Sequence, residues 1–397
     1  MFENEKVKLD VLKKRAFNLR WAEVDDDVIP MTAADPDYPV AKEITDAMME
    51  YIQDGYFSYT PKLGYPSFCE AISKALYERK GEVIPAKNIL PIDSAARAMD
   101  IIAKAFLKPG DEMIVFDPCD YLFREACLQA GATPVMFPAS LKDGLIDLSD
   151  FEKYITPKTK MIGLCNPHNP YGKTYTKEQL DFLMNLCEKY DLYIMNDEIW
   201  SDIIYPDATF TSIYALGNER CDRVLSVFGF SKSFGLAGLR IGCMYATNND
   251  HFNKLVEASQ VLSTAGGIAS ISQIAGEAAV SKAYYWVDEF INHLMVSRDY
   301  AVDEINKIPG LKAYRPSGTY LLYVDMSAYN MKAEEFVNYL REKVKLVIVP
   351  GGRTYFGDLS EGHVRICFAT SRAILEEGLK RLKEGTALLR EEKGLDL

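Results

Sequence analysis

The chain has 397 residues, more than a single hydrophobic core usually serves, so its length predicts two domains. Its composition, 48% apolar and 26% charged, is that of a globular protein, and its net charge of -12 argues against a nucleic-acid partner and favours small molecules. The eight cysteines form no C-x-x-C pair, and no apolar stretch suits a signal segment or a membrane span, which predicts a soluble, cytoplasmic protein with reduced thiols.

Residues 30–39, P-M-T-A-A-D-P-D-Y-P, contain three prolines and several small residues. Proline fixes φ and removes a backbone donor, so this stretch favours an extended crossing segment over a helix. Apolar residues at positions 40, 44, 48 and 52 then predict a helix. The loop at residues 55–66 holds four aromatic side chains among glycine and proline. Such a loop either packs on its own domain or covers another surface, since it would otherwise expose an apolar patch.

From about residue 90 onward, apolar runs with strand character alternate with amphipathic helical patterns. Strands are predicted at residues 113–116, 134–137, 161–165, 192–196, 224–228 and 241–245, and helices at 97–107, 121–130, 177–190 and 250–261. This alternation predicts an α/β fold with a mostly parallel central sheet covered by helices. Because ligands of such sheets bind at the carboxyl ends of the strands, residues just beyond those ends should converge on one site.

The C-terminal part predicts a second, smaller α/β domain. A turn and a strand begin at residue 316, an amphipathic helix spans 332–342, and apolar strands occur near 347 and at 363–369. We expect residues 46–285 to form the large domain, and residues 1–45 and 286–397 to form the small domain together.

One lysine, Lys232, stands between two serines in the run S-V-F-G-F-S-K-S-F-G-L-A-G-L-R-I-G-C-M at residues 226–244. A lysine at the end of a buried strand loses hydration, which lowers the pKa of its ammonium and frees the amine to attack a carbonyl. Arg240 follows a stretch of small residues and offers a planar fork that suits a phosphate. An isolated S-K-S is typical of a surface loop, but the glycine-rich continuation favours a pyridoxal phosphate (PLP) site.

Other predicted strand ends supply groups for the same site. Ala95 and Ala96 open a helix whose free N–H groups and positive end suit an anion. Tyr121 follows a strand and could lay its ring on a flat cofactor, and the turn N-P-H-N-P-Y-G brings the amide of Asn169. Asp197 ends an apolar run, where it is either a helix N-cap or, if partly buried, the partner of a protonated ring nitrogen.

Arg365 lies inside an otherwise apolar strand, H-V-R-I-C-F-A. Burying a guanidinium is costly unless a carboxylate faces it, so this residue predicts either a structural salt bridge or a carboxylate-binding site. The four histidines are scattered without paired spacing, which argues against a metal site. His168, in the N-P-H-N-P-Y-G turn, is expected to be a solvated loop residue.

The motifs N-P-H-N-P-Y-G, D-E-I-W and S-K-S-F-G-L-A-G-L-R-I-G, in this order, resemble the class I/II aminotransferase family of fold-type-I PLP enzymes. The resemblance spans about residues 34 to 382. It implies a transaminase that moves an amino group between an α-amino acid and a 2-oxo acid. It also implies a homodimer whose active sites share residues between subunits.

The resemblance assigns roles to residues of this sequence. Lys232 would bind the cofactor covalently and carry protons, Asp197 would pair with the pyridine nitrogen, and Arg365 would grip the substrate's α-carboxylate. The implied cofactor contacts are Ala95, Ala96, Tyr121, Asn169, Asp197, Trp200, Ser231, Lys232, Arg240 and Tyr59, the last reaching the partner's phosphate. The implied substrate contacts are Ala34, Asn169 and Arg365.

The sequence also departs from the family pattern. Gly229 stands where many members have a phosphate-binding serine, Trp200 where a tyrosine is usual, and Ala95 where glycine is common. N-P-H-N-P and D-E-I-x-x-D-I-I are similar to the cystathionine β-lyase-like branch, so a C–S β-lyase is an alternative, against which the intact G-L-R-I-G run with Arg240 stands. A catalytically silent PLP-binding regulatory protein is a third alternative, opposed by the retained Arg365 and by the lack of a DNA-binding module.

The identity of the substrate side chain is left open by the sequence. Tyr38, Tyr121 and Trp200 could line an aromatic pocket that favours neutral or bulky side chains. Besides Arg365, no arginine of the sequence can be assigned to bind an acidic side chain of the substrate.

Overall fold

The computed structural model describes residues 1–263 and 266–397. Its strands are β1 (Ile29–Met31), β2 (Ile89–Ile92), β3 (Glu112–Asp117), β4 (Thr133–Pro138), β5 (Leu141–Lys142), β6 (Leu145–Ile146), β7 (Thr159–Cys165), β8 (Tyr193–Asp197), β9 (Val224–Gly229), β10 (Gly242–Tyr245), β11 (Lys312–Tyr314), β12 (Leu321–Asp325), β13 (Leu346–Pro350) and β14 (His363–Cys367). Its α-helices are α1 (Leu9–Lys14), α2 (Leu19–Ala22), α3 (Lys42–Asp54), α4 (Pro66–Lys80), α5 (Ala95–Phe106), α6 (Leu122–Gln129), α7 (Lys177–Tyr190), α8 (Asn249–Ser259), α9 (Ser270–Lys282), α10 (Tyr284–Ile305), α11 (Ala333–Val344) and α12 (Arg372–Lys393).

The central sheet has the strand order β2-β10-β9-β8-β7-β3-β4. Strands β9, β8, β7, β3 and β4 run parallel to one another, whereas β10 is antiparallel to both of its neighbours. The middle strands β7, β8 and β9 are buried along nearly their whole length, which explains why they read as continuous apolar runs. The prediction of an α/β fold with a mostly parallel central sheet is confirmed.

A second sheet has the order β1-β13-β14-β12-β11. β1, from the start of the chain, pairs in parallel with β13, and the remaining neighbours are antiparallel. Strands from both ends of the chain therefore lie in one sheet. The smaller α/β domain built from both termini stays a prediction. The boundaries at residues 46 and 285 stay a prediction.

Local sequence signals set the ends of the helices that border the site. The hydroxyl of Ser94 accepts a hydrogen bond from the Arg97 backbone N–H, which caps α5 and leaves Ala95 at its first position. Thr176 and Gln179 form a reciprocal capping box that begins α7. Among the described residues, each helix is too short or too polar to cross a lipid bilayer.

Candidate active site

The candidate site lies at the carboxyl edge of the central sheet. Strands β3, β7, β8 and β9 end there at Asp117, Cys165, Asp197 and Gly229. Because these strands run parallel, the loops that leave them begin at the same edge. Lys232 lies in the loop after β9, so the predicted convergence of residues beyond the strand ends is found.

Lys232 is held against the crossing segment from the start of the chain. Its Nζ donates a hydrogen bond of 2.8 Å to the carbonyl oxygen of Ala34 and lies 5.6 Å from the centroid of the Trp200 ring. Burial lowers the pKa of the Lys232 ammonium below its usual value, and the Asp35 carboxylate partly opposes this effect. An amine with a lowered pKa is the better nucleophile near neutral pH.

Asp197 is buried at the end of β8. Its Oδ1 accepts a hydrogen bond of 3.0 Å from the backbone N–H of Ile199, the local turn contact expected of a capping residue. Burial raises the pKa of Asp197 to about 7, and no lysine, arginine or histidine of the described residues lies within ion-pair distance of its carboxylate. A buried carboxylate without a cation is costly, so this side chain suits a ligand that brings a positive charge.

Asn169 joins two charged groups in the loop after β7. Its Nδ2 donates a hydrogen bond of 2.9 Å to Oδ2 of Asp120, and its Oδ1 accepts one of 3.4 Å from Nη1 of Arg365. Asp120 was not among the predicted site residues. The only signal for it in the sequence is its place directly before Tyr121, just beyond a strand end.

Arg365 points from β14 of the second sheet into the same site. Its Nη2 donates to the carbonyl oxygen of Thr32 at 3.4 Å, and the Phe356 ring lies 5.1 Å from its guanidinium carbon. Its buried Nε has no hydrogen-bond partner among the described residues, and no carboxylate there lies within ion-pair distance of it. Burial lowers the pKa of Arg365, with the nearby Asp120 charge opposing, so the guanidinium is under-compensated and suits an incoming carboxylate.

The start of α5 lies beside the end of β9. A Cβ on Gly229 would lie 3.9 Å from the Ala95 Cβ and 3.0 Å from Ile199, so the side chain of Ile199 leaves little room for a serine at this position. Ser231 is half-buried, and Arg240 is exposed with a left-handed backbone. The guanidinium of Arg240 forms no ion pair within the described ranges, which keeps it available for an anion.

The aromatic residues predicted at the site take different positions. Trp200 is buried, and its ring meets that of Tyr320 edge-on at 4.7 Å. Tyr121 is 42% exposed at the start of α6, and its backbone N–H donates to the carbonyl of Tyr355. Tyr59 is 96% exposed, so within one chain it stays apart from the other predicted site residues.

Two expectations from the sequence are wrong. His168 is fully buried rather than solvated: its ring stacks on Tyr171 at 5.5 Å, and burial lowers its pKa to about 3. Tyr38 packs in the core against Phe2, and its hydroxyl donates to the carbonyl of Thr370. The aromatic pocket expected from Tyr38, Tyr121 and Trp200 is therefore not formed in this way.

Comparisons with known proteins identify the family. The family model Aminotransferase class I and II matches residues 26–382. The chain belongs to the class I and II aminotransferase family. This aminotransferase is 30% identical over 362 residues to an aspartate aminotransferase of Pyrococcus horikoshii, covering 90% of each chain. It is also 30% identical over 361 residues to the cystathionine beta-lyase PatB of Bacillus subtilis, covering 90% of this chain and 92% of the relative.

Solved structures agree with this assignment. The aromatic aminotransferase from Pyrococcus horikoshii OT3 superposes with a TM-score of 0.85 at 27% identity, over 94% of this chain and 98% of that one. Cystalysin from Treponema denticola, which contains PLP, shares the fold with a TM-score of 0.90 at 24% identity, over 98% and 99% of the two chains. A PLP-bound putative aminotransferase from Clostridium difficile 630 also matches, with a TM-score of 0.85 at 27% identity over 94% of this chain and 96% of that one. The resemblance drawn from the motifs is confirmed, as is the interpretation as a PLP-dependent aminotransferase.

The described residues fit the cofactor. The buried Asp197 lacks a cation, Lys232 has a lowered pKa, and the capped start of α5 presents free N–H groups beside β9. The carboxylate of Asp197 suits the protonated ring, the amine of Lys232 suits the aldehyde, and the start of α5 suits the phosphate.

Proposed function

We propose that this site transfers an amino group from an α-amino acid to a 2-oxo acid, with Lys232 as the covalent anchor of the cofactor and as the proton carrier. When bound, PLP supplies an aldehyde that condenses with amines and a protonated ring that accepts electrons from the substrate's α-carbon. Asp197 holds the ring nitrogen in its protonated form. Nζ of Lys232 would remove the proton from the α-carbon and deliver it to the cofactor carbon that carried the aldehyde, and it would carry a proton in the opposite direction when a 2-oxo acid is converted to an amino acid.

The remaining predicted residues orient the two ligands. The amide of Asn169 donates to the ring's phenolic oxygen, and Trp200 and Tyr121 flank the ring. The phosphate is held by the backbone N–H groups of Ala95 and Ala96. Ser231 and Arg240 bind the same phosphate, with Tyr59 contributed by a second subunit.

The half-buried guanidinium of Arg365, which has no ion-pair partner among the described residues, is the observation that carries this proposal. A structural salt bridge, the alternative considered for this residue, would require a carboxylate within ion-pair distance, and none is found among the described residues. Arg365 reaches the site through Asn169, so a substrate carboxylate bound by its fork places the α-carbon near Lys232. The segment carrying Ala34 closes the opposite side, where the Ala34 carbonyl already contacts Lys232.

The test is a pair of half-reactions followed by absorbance of the bound cofactor. Purified holoenzyme is mixed with single amino acids, and the proposal expects the absorbance band of the covalently bound cofactor to disappear with at least one of them. Adding a 2-oxo acid should then restore the band. If no amino acid and 2-oxo acid pair produces this cycle, the proposed transamination is wrong.

A second candidate is a PLP-dependent C–S β-lyase, favoured by the 30% identity to PatB. Its test is chemical, because β-elimination from cystathionine or cysteine releases pyruvate, ammonia and a thiol compound or sulfide. Quantifying pyruvate with lactate dehydrogenase during incubation separates the two activities. Pyruvate release that is faster than amino transfer would support the lyase.

The homodimer is part of the proposal because of an exposed aromatic surface. Tyr56, Phe57 and Tyr59, in the loop between α3 and α4, are 78%, 65% and 96% exposed. Large aromatic side chains gathered in one loop favour burial against a partner. A cytoplasmic location is also proposed, since all eight cysteines are free and buried, as suits a reducing compartment.

A further inference from the structure

The site carries more negative charge than the proposed chemistry uses. Three carboxylates, Asp35, Asp120 and Asp197, lie close enough to Lys232 to exert charge effects within the site. Asp197 is assigned to the ring nitrogen of the cofactor. Asp35 is bound through its Oδ2 by the Asn18 side-chain amide and lies near the Arg20 guanidinium. Asp120 has no role in the chemistry described so far.

Asp120 is fixed in one orientation beside the place where substrate binds. Its Oδ2 accepts the Asn169 amide at 2.9 Å, and its Oδ1 accepts the Leu122 backbone N–H at 3.2 Å. The cations that act on its carboxylate are Arg365 and Lys232, and neither lies within ion-pair distance. Both bonds come from neutral donors, so they orient the carboxylate without neutralising its charge.

The proposed reaction leaves Asp120 without its two balancing cations. Under the proposed function, Lys232 either binds the cofactor or, once the substrate amine has replaced it there, acts as a neutral base, and Arg365 pairs with the α-carboxylate. Asp120 then faces the bound amino acid as a half-buried anion without a counter-ion, which is unfavourable. An acidic substrate side chain would add like-charge repulsion, whereas a cationic one would restore the balance.

We propose that Asp120 selects amino acid substrates whose side chain carries a terminal amine or guanidinium. This inference rests on the proposed function, because it takes Arg365 as the site of the α-carboxylate. Tyr355 supports it: it is 41% exposed, and its carbonyl oxygen accepts a hydrogen bond from the backbone N–H of Tyr121, next to Asp120. Its ring offers an apolar surface for a methylene chain and a π face for a cation.

The test compares ornithine with norvaline, which has the same carbon skeleton but lacks the terminal amine. The half-reaction of the holoenzyme gives kcat/KM for each amino acid. The α-methyl derivatives of both have no α-proton to lose, so calorimetric titration of the same holoenzyme gives their dissociation constants without turnover. A charged hydrogen bond to Asp120 predicts a preference of about 10- to 100-fold for the amine-bearing member in both measurements.

Variants assign this preference to one carboxylate. Asp120→Asn keeps the shape and is expected to bring the ornithine-to-norvaline ratio close to one while norvaline is still bound. Asp150→Asn is the matched control, because Asp150 is exposed and forms an ion pair with the exposed Lys153. If Asp120→Asn lowers the melting temperature, Asp120→Ser removes the charge in a second way. The ornithine-to-norvaline ratio of the wild-type enzyme tests the preference itself without any variant.

The outcomes separate this inference from the proposed function. A wild-type ratio near or below one, or a ratio unchanged by Asp120→Asn, overturns the role of Asp120 even if other amino acids are transaminated. Binding of the α-methyl pair with the expected preference, by an enzyme that completes the half-reaction with no amino acid that keeps its α-proton, supports Asp120 and contradicts the proposed transamination.

Discussion

Replacing Asp197 by asparagine tests the electrostatics of the site in the cofactor-free protein. Burial raises the pKa of Asp197 from 3.8 to about 7, whereas in the unfolded chain the group titrates near its ordinary value. Between these two pH values the folded state binds the proton more tightly. The contribution of Asp197 to stability is therefore fully present below pH 4 and is lost as the pH rises through 7. This difference between the pKa values of the folded and unfolded states corresponds to ~4 kcal/mol of unfolding free energy.

The assay is urea unfolding of cofactor-free wild type and Asp197→Asn from pH 4 to pH 8. Asparagine keeps the acceptor for the Ile199 N–H but does not titrate, so the difference between the two curves isolates this position. We expect the free energy of unfolding of the variant, relative to that of the wild type, to rise by ~4 kcal/mol between pH 4 and pH 8. Asp150→Asn, at an exposed position, should show no such trend. A difference between wild type and Asp197→Asn that does not change with pH would refute the argument that burial holds this carboxyl protonated.

Three further changes probe the substrate site, the core and the dimer. Arg365→Ala should weaken amino acid binding about 100-fold, measured by absorbance titration, while the cofactor band of the free enzyme is unchanged; equal affinity would exclude Arg365 as the carboxylate site. Lys80→Gln leaves Glu82 and Glu198 without their buried cation and should lower the free energy of unfolding by about 3–5 kcal/mol. Lys74→Gln, at an exposed position, is the control, and similar melting temperatures for the two variants would contradict this expectation. Co-refolding Tyr59→Ala with Lys232→Ala should restore about a quarter of wild-type activity at limiting PLP, because a hybrid dimer holds one intact site; activity no higher than that of the separate variants would count against shared sites.

The fold was predictable where local signals and burial agree. Helix α7 begins and ends where the pattern over residues 177–190 predicts, because its apolar face follows a capping box formed by Thr176 and Gln179. Strand β2 was not predicted. Its four residues include Pro91, and proline is tolerated there because β2 lies at the edge of the sheet, a position that the sequence does not reveal.

The site was predictable to the extent that it is built from strand ends. Asp197 ends a buried parallel strand, and Lys232 and Asn169 lie in the loops after two others, so the topology alone brings the three to one edge. The hydrogen bond between Asn169 and Asp120 depends on how two loops fold against each other, and no periodicity encodes that arrangement. His168 was misassigned for the same reason, since Phe116 and Tyr171 enclose it only after the chain has folded.

The covalent link at Lys232 is tested most directly by borohydride reduction followed by peptide mass spectrometry. Reduction fixes the bond between the cofactor and the amine that holds it. The account predicts a single modified lysine, Lys232, in the holoenzyme, and loss of the label in Lys232→Ala. A label on another lysine, or a protein that takes up no PLP, would contradict it.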